Sequence, residues 1–183
     1  MQALSDRGTK INPLDKQNRT PLNVANGVGG SSYQTCPLNC HPEGMLVTKK
    51  SLTLAAAKRI ADAAELEALK NKWNVVMAIV DDGGHLLFLQ RMDNTQLASV
   101  DVSIQKAKGA MMFKRSTKAL EDIVAGGRTV MMKLAGVVPV EGGVLLEVDG
   151  QVVGAIGVSG VTSPQDGLIA QAGADELARI SKG

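Results

Sequence analysis

Aromatic side chains are almost missing from this chain of 183 residues: one Trp, one Tyr and two Phe, at Trp73, Tyr33, Phe88 and Phe113. A platform that stacks single-stranded bases needs several aromatics on one face, so nucleic acid is not an expected partner. Charge of one sign is lacking too. Lys and Arg total 20 against 18 Asp and Glu, a formal net charge of +2, which gives no electrostatic footprint for a polyanion. Cysteine is limited to Cys36 and Cys40, too few for a disulfide scaffold. With His41 they spell C-x-x-x-C-H, but a closed tetrahedral site takes four ligands and the other histidine, His85, lies far along the chain. No metal site is therefore expected. No apolar run reaches the roughly 18 residues of a membrane span, and the first thirty residues lack the basic-then-apolar order of a secretory signal. The expectation is a soluble, cytoplasmic protein with no membrane partner.

What is present, 44% hydrophobic and 21% charged residues, suits one globular domain with an aliphatic, Ala- and Gly-packed core. Residues 1–47 are rich in Asn, Gly, Pro, Thr and Gln without apolar periodicity, and the Gly27 to Ser32 run resembles a connector. They read as a flexible extension, and 48–183 as the domain. Thr53 caps a first predicted helix in which Ala56, Ile60, Ala63, Leu66 and Leu69 form the apolar stripe. Val75 to Val80 reads as a strand covered on both faces, and Asp81-Asp82-Gly83-Gly84 turns it into a second strand, His85 to Gln90. A helix follows over about Gln96 to Phe113, with Ala98, Val102, Gln105, Gly109 and Met112 at helical spacing. Ser116 or Thr117 caps another as far as Val124, and Arg128 to Leu134 adds a further turn or two. Three more strands are expected at Val137 to Val140, Val144 to Val148 and Val152 to Val158, the last two joined by the hairpin signal Asp149-Gly150. Ser163-Pro164 opens the last helix, with Leu168, Ala172, Leu177 and Ile180 inward. Short turns force antiparallel pairing. The expected fold is α+β, five strands in one antiparallel sheet flanked by helices.

Standard catalytic signatures are absent. There is no Walker loop, and Gly157-Val158-Ser159-Gly160-Val161 lacks the final glycine of a nucleophile elbow. Gly154, Gly157 and Gly160 recur every third residue, which is not the dinucleotide fingerprint and points instead to close backbone approach. The informative residues are polar groups at the ends of apolar elements: Asp81, Asp82, His85, Arg91 and Asp93 around the first hairpin, and Lys106, Glu141, Ser159 and Asp166 elsewhere. Arg91 and Lys106 suit a carboxylate ligand, by bidentate fork and mobile point charge. The alternative is structural, with Arg91 pairing with Asp93 or Asp166 and Lys106 on a solvated face. His85 is either a hydrogen-bonded surface residue, a proton carrier or an axial haem ligand. The Met111-Met112 and Met131-Met132 pairs read as core or interface filler.

From Leu52 to Leu177 the chain resembles the GlcG/HbpS-like family of haem-degrading, or DUF336, domains, which includes the C-terminal domain of PduO-type corrinoid adenosyltransferases. The resemblance is carried by Ala78-Ile79-Val80-Asp81-Asp82-Gly83-Gly84-His85-Leu86, Arg91-Met92-Asp93, Lys106-Ala107, Gly142-Gly143, Gly154-Ala155-Ile156-Gly157-Val158-Ser159-Gly160, and Asp166 with Ala170 and Gly173. It implies a profilin-like fold, assembly into tetramers or octamers, and a pocket associated in some members with haem or a corrinoid. The polar set that it implies falls on Asp81, Arg91, Asp93, Lys106, Ser159 and Asp166. The chain departs from the family pattern at Lys114-Arg115-Ser116-Thr117 and at Val144-Leu145-Leu146-Glu147. Two functions are expected from this. One is an oligomeric accessory protein of a catabolic pathway that binds a haem-type tetrapyrrole or a small carboxylated metabolite through Arg91, Asp93, Lys106, His85 and Ser159. The other is a small deaminase, hydrolase or isomerase acting on a carboxylated intermediate, with Asp81, Asp166 or Glu141 as acid or base.

Overall fold

The computed structural model describes residues 47–182. But for Val47, the expected extension lies outside the described residues, as do Cys36, Cys40 and His41. The elements run α1 (Leu54–Lys70), β1 (Val76–Asp81), β2 (Leu86–Arg91), α2 (Ala98–Phe113), α3 (Thr117–Ala125), a 3-10 helix (Thr129–Lys133), β3 (Gly143–Val148), β4 (Gln151–Ser159) and α4 (Ser163–Ile180). The sheet has four strands in the order β2-β1-β4-β3, every pair antiparallel.

The caps are those that the local chemistry requires. Ala56 donates its backbone N–H to Thr53 Oγ1 at 3.2 Å, and Ala119 donates to Ser116 Oγ at 3.3 Å. Thr162 and Gln165 close a capping box at the start of α4, beside Pro164. Asp149 and Gly150 both take positive φ, 51° and 74°, the backbone twist of a two-residue hairpin.

Strands β1 and β4 form the buried centre of the sheet. On one face Met77, Ile79, Ile156 and Val158 pack with Ile60, Ala61 and Ala64 of α1 and Ile169, Ala170 and Leu177 of α4. On the other, Val80 and Ala155 pack with Ala107, Ala110 and Met111 of α2. Each fully buried aliphatic side chain contributes about 1.5–3 kcal/mol, so this pair of interfaces is the fold's main support. Gly157 sets how close α2 comes: a Cβ there would lie 2.1 Å from Ser103 O and 2.5 Å from Ala107 N.

Two expectations are corrected. The sheet has four strands, not five, because Val137 to Val140 form no strand; Gly136 O and Val138 instead lie against Gly109 of α2. The apolar stripes are also displaced. In α1 the buried residues are Ala57, Ile60, Ala61, Ala64 and Ala68, while Leu66 and Leu69 are exposed. In α2 the inward face is Ser99, Ser103, Lys106, Ala107, Gly109, Ala110 and Met111, and Met112 faces out. Leu168 of α4 is likewise exposed. Close helix packing admits small side chains and turns the bulky ones outward; at Gly173 of α4, for example, a Cβ would lie 2.8 Å from Ile156 Cδ1 and 3.1 Å from Ile60 Cγ2. No helix among the described residues is long and apolar enough to cross a membrane.

Candidate functional site

Lys106 is the most deeply buried charge. It projects from the inner face of α2, where its Nζ donates to Asp166 Oδ2 at 2.8 Å and to Val158 O at 3.0 Å. The two side chains are 1% and 3% exposed. Asp166 sits in the first turn of α4, where the helix dipole favours a carboxylate, and its Oδ1 accepts from the Val161 N–H at 3.2 Å. Burial pushes this carboxyl above the ordinary Asp value, opposed by the Lys106 ammonium and by the Val161 and Gly160 N–H groups. A Cβ on Gly142 would lie 2.8 Å from Lys106 Nζ, so that glycine lies directly against the pair. Outside it is a cleft of about 280 Å³ lined by Ser116, Lys118, Glu141, Gly142, Gly167 and Gln171, among others. The Glu141 backbone donates to Glu121 Oε2 at 2.6 Å, while Glu141 Oε1 would lie 2.4 Å from a Cβ at Gly167. Lys106, Asp166 and Glu141, which are widely separated in sequence, therefore come together.

The first hairpin makes a second cluster. Asp81 Oδ1 accepts from the Gly83 and His85 backbone N–H groups, each at 2.9 Å, and so fixes the turn. The His85 imidazole is 84% exposed with Nδ1 3.6 Å from Asp81 Oδ1, which leaves Nε2 directed away from that carboxylate. Asp82 pairs with Lys49, and Asp149 in the β3–β4 turn pairs with Lys50. The Lys50 backbone also donates to Gln151 Oε1 at 3.2 Å. Two consecutive lysines thus strap the two hairpin turns at one end of the sheet. Lys49 holds the Asp82 carboxyl below its ordinary value, chiefly by donating to it. Beside the strap is a cavity of about 470 Å³ lined by Asp82, Met111, Lys114, Gly150, Gln151 and Val152.

The remaining candidates lie at the opposite end of the strands. Arg91 closes β2 and its Nη2 donates to Thr95 O at 2.9 Å, bonding to a loop carbonyl instead of to Asp93 or Asp166. Ser159 closes β4 and shares a 3.2 Å hydrogen bond with Ser99 Oγ. Both register with Val76, Arg91 from one side and Ser159 from the other. Asp93 is exposed in the following turn. Arg91 and Lys106 thus serve different elements, one the carbonyl of buried Thr95 in the β2–α2 loop and the other the buried pair. Among the described residues no three His, Cys, Asp or Glu side chains converge as a metal-binding set. Sequence reasoning missed Lys49, Lys50, Lys114 and the buried Thr117, whose Oγ1 accepts from the Gly143 N–H at 2.8 Å. Spacing carried a signal for the burial of Lys106, since Ser99, Ser103, Lys106 and Ala110 recur at three and four on one helical face.

Residues 52–175 match the family model described as Haem degrading protein HbpS-like. The chain is 44% identical over 112 residues to protein GlcG of Escherichia coli strain K12, a match covering 61% of this chain and 84% of that one. It superposes on the crystal structure of Klebsiella pneumoniae protein ORFY with a TM-score of 0.65 at 35% identity, covering 73% of this chain and 97% of that one. On the crystal structure of a PduOC:heme complex the TM-score is 0.63 at 30% identity, covering 69% and 95%. A four-stranded antiparallel sheet held by a glycine-packed helix, together with a family match over most of its length, makes this chain a member of the HbpS-like haem-degrading protein family.

Proposed function

We propose that this protein is a homo-oligomeric accessory protein of a catabolic pathway that binds an anionic tetrapyrrole of the haem type at the strapped end of its sheet. The observation that carries this reading is His85: an exposed imidazole with one nitrogen facing the Asp81 carboxylate, on the same turn as Asp82, which lines the 470 Å³ cavity. Imidazole is a common ligand of haem iron, and with Nδ1 turned toward the Asp81 carboxylate His85 has Nε2 left to serve as one. Lys114 at the cavity wall offers a cation to a propionate, and Met111 an adaptable thioether surface. These residues fit the group: His85 would hold the iron and Lys114 a carboxylate. Bound haem would supply a redox-active iron. This chain's own part is to orient that ring through the Asp81-fixed turn. The likeness to the PduOC:heme complex supports the ligand class.

Titration with haem tests it. The wild-type protein should take up haem stoichiometrically with a Soret band, and His85→Ala should shift that band and weaken binding by at least tenfold. Identical spectra and affinities for the two proteins would remove His85 from the site. A chain that ignores haem but is thermally stabilised by small carboxylic acids would favour the metabolite reading. The enzymatic reading rests on Glu141, because Asp166 is engaged by Lys106 and Asp81 by its own turn. It would be recognised by turnover lost in Glu141→Gln and indifferent to haem.

A further inference from the structure

The groups held by Lys49 and Lys50 line a cavity. Lys49 pairs with Asp82 and Lys50 with Asp149, and the Lys50 N–H donates to Gln151 Oε1 at 3.2 Å. Asp82 and Gln151 line the 470 Å³ cavity, as does Gly150 beside Asp149. The two lysines leave a fixed anchor. Leu52 packs against the core, where a Cβ on Gly154 of β4 would lie 2.6 Å from its Cδ1, and Thr53 caps α1. The lysine side chains themselves are more than half exposed. Exposed ion pairs contribute little to stability, so the consequence of these two is the charge that the cavity presents.

The two turns supply Asp81, Asp82 and Asp149, while the cavity wall supplies Lys114. Three carboxylates against one ammonium repel an anion. With the strap in place, Asp82 and Asp149 each have a cation, and Asp81 Oδ1 is engaged by the Gly83 and His85 N–H groups. Lys114 forms no ion pair among the described residues, so it is the charge left over in the lining. We propose that Lys49 and Lys50 determine the specificity of this cavity: by neutralising Asp82 and Asp149 they make it a site for a ring that carries carboxylates, one of which Lys114 binds. The inference rests on the tetrapyrrole reading of this end of the sheet, but it concerns the propionates of the ligand, whereas His85 concerns its iron.

Two probes separate charge from shape: protoporphyrin IX, which has propionates and no iron, and its dimethyl ester, which has no free carboxylate. Porphyrin fluorescence reads their binding to the wild type, to Lys49→Gln/Lys50→Gln, and to a quadruple variant that adds Asp82→Asn and Asp149→Asn. Asn suits the left-handed φ of 51° at position 149. Circular dichroism melts show that each variant folds as the wild type does, and the two single lysine substitutions, each giving part of the loss, serve if the double variant melts early. The double variant should bind the diacid about tenfold more weakly and the ester as the wild type does, and the quadruple variant should regain wild-type affinity for the diacid. The inference is overturned if the lysine substitutions leave diacid binding unchanged, if diacid and ester weaken equally, or if the quadruple variant stays weak. A wild type that does not bind the diacid also overturns it, and one that binds neither porphyrin overturns the tetrapyrrole reading as well. Haem titration of His85→Ala keeps the two apart: an unchanged Soret band removes the iron ligand alone, while lysine variants indifferent to ligand charge remove this inference alone.

Discussion

Replacing Lys106 by Met keeps the length of the side chain and removes its charge, leaving Asp166 buried with its backbone N–H partners and no ammonium. Breaking a buried ion pair on one side costs about 3–5 kcal/mol, because the remaining charge is neither solvated nor compensated. Domains are stable by only about 5–15 kcal/mol, so roughly a fifth or more of the total is at stake. At roughly 3 °C per kcal/mol for a domain of this size, Lys106→Met should melt about 10–15 °C below the wild type at neutral pH. Substituting both partners, as Lys106→Met with Asp166→Leu, should recover most of that loss and give a coupling of about 2 kcal/mol or more in a double-mutant cycle. The pH dependence has a definite sign. Without Lys106, the Asp166 carboxyl in the folded protein is pushed further above its unfolded value, so the folded state binds more protons. The penalty is therefore small below about pH 4, the unfolded Asp value, and grows as pH rises through the folded one. A single variant that melts within about 2 °C of the wild type at neutral pH would refute the buried pair.

Gly157→Ala places a Cβ against the α2 backbone, 2.1 Å from Ser103 O, where no side chain can move aside; it should lower the urea midpoint by an amount worth about 3 kcal/mol, and an unchanged midpoint would contradict the packing. Arg179 and Arg59, whose Nη2 atoms lie 2.7 and 2.8 Å from the Glu176 carboxylate, hold it below the ordinary Glu range. Its folded value is depressed, so its stabilisation is complete above the unfolded Glu value and is lost as pH falls through the folded one. An NMR titration should find the Glu176 carboxyl low in the wild type and raised by Arg179→Ala more than by Arg59→Ala. Lys49→Ala should likewise return the Asp82 carboxyl toward its ordinary value.

Punctuation made most of the fold legible. Asp81 to Gly84 and Asp149-Gly150 announced both hairpins, and Thr53, Ser116 and Pro164 the helix starts. The misreadings share one physical cause. Hydrophobicity ranks Leu66, Leu69, Met112 and Leu168 above alanine, but where helices lie close on a sheet, size decides which side faces in. Val137 to Val140 have a strand's composition yet no neighbouring strand, and this tertiary context overrides propensity. At the candidate site, Asp81 and His85 were readable as one turn because they are close in sequence. The Lys106–Asp166 pair spans sixty positions, and lysine is so rarely buried that its charge argued for solvent. The Lys49 and Lys50 strap was hidden because surface lysines ordinarily pair with nothing in particular.

The central claim, that the strapped end of the sheet is the ligand site, is tested most directly by crystals of the protein grown with haem and measured at the iron absorption edge. The expected result is one anomalous peak per chain within bonding distance of His85 Nε2, beside the cavity of Asp82, Met111 and Lys114. A peak at the Arg91 and Ser159 end, in the Glu141 cleft, or nowhere in a crystal that visibly carries haem would contradict it.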